Sequence, residues 1–110
     1  MSEKIKLVTG DNRPYVRVTL TDKDGTPVNL SDSTTSVVVH FRATGSETVL
    51  QTLTCNKVGT GEDGIVAFNF PAGALDIDPG PYEGEVEIDF DGEKQTVYQP
   101  LKFIVREQFA

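Results

Sequence analysis

Two carboxylates are the residues of this chain whose spacing comes closest to that of a catalytic pair. Glu85 and Glu87 are two positions apart in an alternating segment, so their side chains lie on one face of a strand, about 7 Å apart. That separation falls in the range of inverting glycoside hydrolases. Such an enzyme also needs a concave sugar site and a buried general acid, and a solvated acidic face provides neither. The sequence therefore predicts no catalytic role for the pair.

The chain has one histidine and one cysteine, which restricts the other kinds of chemistry. His40 lies in a strand-like segment and no glycine-rich turn surrounds any serine, so a nucleophilic triad is not predicted. We expect its imidazole to face water or a neighbouring side chain. One His and one Cys cannot supply the ligands of a zinc site. Cys55 has no disulfide partner and is predicted to be a buried structural thiol. We therefore predict a protein that is not an enzyme and has no cofactor.

The elements that position these residues are strands joined by short turns. From Tyr82 to Phe90 apolar and acidic residues alternate with a period of two, which is typical of a strand with one buried face. Similar short runs recur about every ten residues, and no window has helical spacing over three turns. The pattern predicts an all-β fold, an antiparallel β-sandwich of seven to eight strands, with residues 1–110 forming a single domain.

The last two strands can be aligned residue by residue. Asp91-Gly92 is a strong signal for a two-residue hairpin loop. In the resulting register Glu83, Glu85 and Glu87 have no cation opposite them. Counting outward from the loop gives these facing pairs: Phe90 with Glu93, Asp89 with Lys94, Val86 with Val97, Glu85 with Tyr98, and Tyr82 with Leu101.

Three segments have a less regular pattern. Pro100 has no amide hydrogen, so a kink or a change of sheet is expected there. Between Thr48 and Val58 the alternation blurs, which predicts two short strands that meet at a bulge near Gln51 or Thr52. Residues 72–78 are expected to form one helical turn, with Leu75 or Ile77 closing the end of the core.

Charge is unevenly distributed along the chain. The net charge is −7, which argues against a general affinity for nucleic acid or for anionic membranes, so we expect neither as a partner and no membrane insertion. Residues 59–93 include ten acids and no Lys or Arg, so one flank is expected to be strongly negative. A weak calcium site stays open at one of two turns, around Asp22, Asp24 and Asn29 or around Asp76 and Asp78, although neither turn has the twelve-residue EF-hand pattern. We expect no signal peptide and no membrane span.

Two stretches of the sequence resemble a known family. The first begins at Gly10-Asp11-Asn12-Arg13-Pro14 and continues through residues 16–22 and 24–30. The second is Pro79-Gly80-Pro81-Tyr82 followed by an alternating strand, an Asp-Gly turn and a closing strand. Together they resemble the immunoglobulin-like N-terminal domain of phage baseplate upper proteins. In such a domain Tyr82 occupies the position of a tyrosine corner, while Gly84 stands where antibody domains have a cysteine.

The resemblance implies an immunoglobulin-like fold and a structural role in a phage virion. It implies a tail or baseplate adaptor, assembled in the host cytoplasm, that docks onto other virion proteins and is present in several symmetric copies. It carries over no catalytic residues. A head or neck decoration protein is an alternative within this class, and a carbohydrate-binding or adhesion module is an alternative outside it.

Candidate partner-binding residues follow from exposure and charge. The acidic face of the alternating strand is predicted to be a solubilising or docking face, and the strand from Lys4 to Val8 could add to a neighbour's sheet. Outward aromatic side chains are further candidates. The candidate residues are Glu83, Glu85, Glu87, Tyr98 and Phe109.

Overall fold

The computed structural model describes residues 4–11, 15–22, 24–97 and 100–108. These residues form nine strands and no helix, so the protein is all-β, as the alternating pattern predicts. The number of strands exceeds the predicted seven to eight, because the strand predicted after the Asp91-Gly92 turn is divided into two. In chain order the strands are β1 (Ile5–Val8), β2 (Tyr15–Thr19), β3 (Thr35–Ala43), β4 (Gln51–Thr54), β5 (Asn56–Lys57), β6 (Ile65–Asn69), β7 (Gly80–Phe90), β8 (Glu93–Thr96) and β9 (Leu101–Arg106).

The strands form two sheets. The larger sheet has the order β1-β9-β7-β3-β4, and β8 pairs with β7 beyond the end of β9. The smaller sheet has the order β2-β6-β5. All pairs of these strands are antiparallel except β1 with β9, which run parallel. The pair of the first and last strands is therefore the one exception to the predicted antiparallel arrangement among the described strands.

One hydrophobic core joins the two sheets in a sandwich-like arrangement. Phe41 of β3 lies at its centre, where its ring contacts Phe70, Tyr82 and Phe103 at centroid distances of 5.2, 5.3 and 5.1 Å. Inward residues of the smaller sheet, such as Phe68 of β6, belong to the same cluster. Aromatic pairs at these distances stabilise a core beyond the burial of their area.

The hairpin between β7 and β8 has the predicted register near its turn. Phe90 faces Glu93 and Asp89 faces Lys94. Asp91 and Gly92 both have positive φ, 57° and 97°, as a two-residue loop of this hand requires. The Asp89 Oδ1 atom accepts a hydrogen bond of 2.6 Å from the backbone N–H of Gly92, which closes the turn.

Beyond this hairpin the register shifts by two residues. Val97 still donates its N–H to the carbonyl of Val86, as predicted, but Tyr82 faces Phe103 instead of Leu101. The predicted Tyr82 pair is therefore wrong. The strand is interrupted around Pro100, which cannot donate to the ladder, and it resumes in the same sheet. Since a shift of two preserves the side of each residue, the inward face of β9 is buried as expected.

The segment between β3 and β6 changes sheet at Cys55. β4 pairs with β3 in the larger sheet, whereas β5 pairs with β6 in the smaller one. A bulge lies close to its predicted position, because Gln51 faces Phe41 in register while the N–H of Leu50 also donates to the Phe41 carbonyl at 2.8 Å. The two strands nevertheless meet at Cys55, four residues beyond Gln51, where the chain crosses from one sheet to the other.

Residues 72–78 form turns instead of the predicted helical turn. The N–H groups of Ala74 and Asp76 donate to the carbonyls of Pro71 and Gly73, each bond spanning three residues. Leu75 is fully buried at the end of the core, as predicted. Its carbonyl accepts from the N–H of Gly10, which ties this segment to the chain after β1.

Candidate functional site

The predicted acidic face lies at the centre of the larger sheet. β7 directs Glu83, Glu85 and Glu87 to solvent and Val86 and Ile88 into the core. β3 pairs with one side of β7, while β8 and β9 pair with its other side. We call the solvent-facing side of β3, β4, β7, β8 and β9 the outer sheet face.

Glu83 is paired with a cation, contrary to the sequence prediction. Arg42 of β3 faces Glu83 in register, and its Nε and Nη2 atoms each lie 2.7 Å from Glu83 Oε2. Lys102 of β9 faces Glu83 from the other side. The prediction of an unpaired carboxylate was wrong because it considered only the hairpin partner, and β7 has a second neighbour.

Glu87 also has a partner on β3. Its Oε1 atom lies 3.4 Å from His40 Nε2, and the other ring nitrogen, Nδ1, lies 3.4 Å from the Thr52 hydroxyl of β4. These contacts link three adjacent strands across the outer sheet face. His40 thus faces neighbouring side chains, as predicted, and its contact with Glu87 becomes an ion pair only when the imidazole is protonated.

Glu85 differs from its two neighbours. It is exposed and faces His40 in register, and no hydrogen bond or ion pair connects its carboxylate to another described residue. Of the three predicted acidic docking residues, Glu85 is therefore the one whose carboxylate is available to a partner. The pair Glu85 and Glu87 lies on the open outer sheet face.

Sequence reasoning missed Arg42 and His40 as members of this surface. They are 41 and 47 positions away from the glutamates they contact. The available signal was their position on the polar side of an alternating strand, opposite Val39 and Phe41. It could not indicate which strand would lie beside β7.

The other predicted docking residues have different outcomes. Tyr98 and Phe109 lie outside the described residues, so the predicted Glu85–Tyr98 pair lies outside them as well. The predicted edge strand forms β1, which lies at the end of the larger sheet, with Lys6 exposed within it and Lys4 exposed just before it.

Tyr82 has the contact expected of a tyrosine corner. Its hydroxyl donates a 2.6 Å hydrogen bond to the carbonyl of Asp78, four residues earlier. Two residues further on, Gly84 lies against the core: a Cβ atom there would approach Val39 Cγ1 to 2.7 Å and Phe103 Cε2 to 3.1 Å. The Phe103 ring therefore occupies space that a side chain at position 84 would need.

A shallow polar cleft lies at one end of the larger sheet. Its volume is about 450 Å³. Its polar groups are engaged in local turns: Asp32 Oδ1 accepts from the N–H and hydroxyl of Thr34, and Asn29 Oδ1 accepts from the N–H of Ser31. The Thr34 backbone bond, and then the Thr34 hydroxyl, hold the pKa of Asp32 below its ordinary value. The carboxylate thus stabilises the turn before β3, and these hydrogen bonds give no support to a sugar site in the cleft.

The thiol of Cys55, the other reactive group considered from the sequence, lies against the hydrophobic core. Burial raises the pKa of the Cys55 thiol to about 12, and its side chain is half-buried against the core.

Within residues 4–11, 15–22, 24–97 and 100–108, no group of three or more His, Cys, Asp or Glu side chains is arranged to hold a metal ion. The same ranges include no helix long and apolar enough to cross a membrane.

Comparison of the chain with models of protein families and with curated proteins gave no match.

Proposed function

We propose that this protein is a non-enzymatic interaction module, with an immunoglobulin-like β-sandwich, that serves as a structural component of a phage virion. The proposed interaction role rests on the arrangement of charges on the outer sheet face. This surface is an open sheet in which Glu83 and Glu87 have partners on β3, while Glu85 is exposed at its centre. Small-molecule sites are concave and mostly apolar, whereas an open surface with ordered charges suits a macromolecular partner.

The order of strands supports the immunoglobulin-like part of this proposal. A larger sheet with a parallel first and last strand lies over a three-stranded sheet. The hydroxyl contact between Tyr82 and Asp78 has the geometry of a tyrosine corner at the start of a late strand. Gly84 stands where antibody domains have a cysteine, and the ring of Phe103, on the neighbouring strand of the same sheet, packs against it.

The virion part of the proposal is supported by the sequence resemblance to baseplate upper proteins over about residues 8–106. That family implies an adaptor in the tail or baseplate, with other virion proteins as partners and several symmetric copies in the particle. A head or neck decoration protein would have the same physical requirements. In each case the surface that docks is the outer sheet face.

The proposal is tested in particles of the phage, or induced prophage, that encodes the chain. Mass spectrometry of purified particles should detect the protein at a constant ratio to the major structural proteins. Absence of the protein from intact particles, or its removal by washing at physiological salt, would contradict a virion role.

The docking surface is tested by a charge reversal at its centre. Glu85→Lys should leave folding intact, because the side chain is exposed, and should lower incorporation into particles at least tenfold. Glu62→Lys is the matched control, since it makes the same change of charge at an exposed loop residue. Equal incorporation of both variants would refute the role of the outer sheet face. Binding to a glycan array that survives Glu85→Lys would instead favour the adhesion alternative.

A further inference from the structure

The open edge of β4 presents unpaired backbone groups to solvent. Among the strands of the described residues, β4 is the last of the larger sheet and pairs with β3 alone. Leu53 faces Val39 in register, and the N–H of Cys55 donates to the Val37 carbonyl at 3.0 Å. In an antiparallel ladder, backbone groups of alternate residues point to opposite sides. The N–H and C=O groups of Thr52 and Thr54 therefore point away from β3, toward the open side.

Exposed apolar side chains adjoin this edge. Val49 and Leu50 are 46% and 43% exposed, and they directly precede β4. Tyr15, on the smaller sheet, is the other large hydrophobic residue that is exposed among the described ones. The concentration of apolar surface beside an open edge strand is unusual, because such edges promote association between chains.

The two ends of the larger sheet differ in charge. β1, at one end, includes the exposed Lys6 and follows the exposed Lys4, and such lysines are a common protection against edge-to-edge pairing. At the other end, no charged residue occurs between Glu47 and Lys57. The chain as a whole has a net charge of −7, so two copies repel each other on average. The β4 edge is the part of the sheet where identical chains can meet without like-charge repulsion.

We propose that a second copy of this chain binds at the β4 edge, by antiparallel pairing of the two β4 strands about a two-fold axis. A register with Thr52 of one copy opposite Thr54 of the other uses all the outward backbone groups of these residues. It forms four hydrogen bonds and places the axis at Leu53. The pairing is the same from either copy, as a two-fold interface requires, and it joins two larger sheets into one.

This inference deepens the proposed function, because it names the partner and surface of self-association. It can fail while the virion role stands, since virion copies can contact one another through other surfaces. It can also hold if the protein is not a virion component, because pairing depends only on the chain itself. The β4 edge is separate from Glu85 at the centre of the outer sheet face.

Sedimentation velocity of the purified chain tests the proposal. From about 1 µM to about 1 mM protein, the wild type should change reversibly from monomer to dimer. Val49→Lys with Leu50→Lys should weaken dimerisation at least tenfold, because it replaces the exposed apolar surface beside the pairing strands with two positive charges in each copy. The matched control is Tyr15→Lys with Thr19→Lys, which adds the same charges at exposed positions of β2 and should leave dimerisation unchanged.

Amide hydrogen exchange provides a readout specific to the pairing. In the dimer, the N–H groups of Thr52 and Thr54 should exchange at least tenfold more slowly at high than at low protein concentration. The exposed N–H of Gly92 has its own acceptor within the turn and should not change. A chain that stays monomeric up to about 1 mM, a dimer equally affected by both pairs of lysine substitutions, or protection that excludes Thr52 and Thr54 would overturn the proposal.

Discussion

Tyr82 combines two contacts that fix the start of β7. Its ring stacks on Phe41 at 5.3 Å with an interplanar angle of 9°, and its hydroxyl donates to the Asp78 carbonyl. Burial, and to a smaller extent the charge of Asp78, raise the pKa of Tyr82, so the hydroxyl keeps the proton that this bond needs. The residue therefore anchors the turn before β7 to the core.

Substitution of Tyr82 with Phe separates the two contacts. Tyr82→Phe keeps the ring and leaves the Asp78 carbonyl without its donor, which should lower the free energy of unfolding by about 1–2 kcal/mol. Urea denaturation followed by circular dichroism measures the difference. Tyr15→Phe serves as control, because that side chain is 67% exposed and its change should be close to zero. Equal effects at both positions would show that the corner bond contributes nothing.

Gly84 is required by space at the centre of β7. Gly84→Ala places a Cβ atom 2.7 Å from Val39 Cγ1, so it should destabilise the protein by about 1–3 kcal/mol through overpacking. Val39→Ala removes the clashing atom and leaves a cavity. The double variant should be more stable than the sum of the two single effects predicts, because each change relieves the other. Strict additivity in urea denaturation would contradict the steric explanation.

The thiol of Cys55 gives a pH-dependent prediction. Burial raises its pKa from 9.0 to about 12, so the folded chain keeps the proton where the unfolded chain loses it. At pH 8 the native thiol should react with iodoacetamide about 100-fold more slowly than the thiol unfolded in urea. For the same reason this group's contribution to stability is complete below pH 9.0 and is lost as the pH rises toward about 12. Equal native and unfolded rates would contradict the effect of burial.

At the scale of elements, the sequence predicts local structure better than strand neighbours. The pairs next to Asp91-Gly92 could be counted because a two-residue loop fixes its own register. The count went wrong at Tyr82, since the chain accommodates two additional residues before β9. The spacing of turn residues gives no information on such an insertion.

The candidate site shows the same limit. The alternation of the sequence predicts directly which side chains of β7 face solvent. The charges that these side chains contact depend on β3 lying beside β7. That pairing joins strands separated by more than thirty residues. Arg42 and His40 were visible as polar strand residues, but no local signal connected them with Glu83 and Glu87.

The hairpin turn gives a test at this scale. Gly92 has a φ of 97°, a conformation that a side chain disfavours, so Gly92→Ala should destabilise the protein by about 1 kcal/mol or more. Asp91→Asn should be close to neutral, because asparagine adopts the φ of 57° at that position readily. Thermal unfolding of both variants measures the difference. A larger loss for Asp91→Asn would contradict the assignment of roles within the turn.

At the scale of the whole molecule, the inward faces of both sheets share one hydrophobic cluster. The sequence predicts a single domain over residues 1–110, and a common core implies that neither sheet is stable without the other. Unfolding should therefore be a single cooperative transition. Far-ultraviolet circular dichroism and tyrosine fluorescence should give coincident curves in urea, and the calorimetric and van't Hoff enthalpies should agree. Two separated transitions would contradict a single domain.

The parallel pairing of β1 with β9 has a mechanical consequence. Four residue pairs, from Ile5 with Phe103 to Val8 with Arg106, hold the strands side by side in the same direction. Tension applied to the chain before Ile5 and after Arg106 pulls the two strands past each other along their length. The hydrogen bonds between them then bear the load together, in shear, whereas an antiparallel pair pulled in this way would open one bond at a time. The β1–β9 pair should therefore resist a pull applied at these two ends more strongly than an antiparallel pair of the same length.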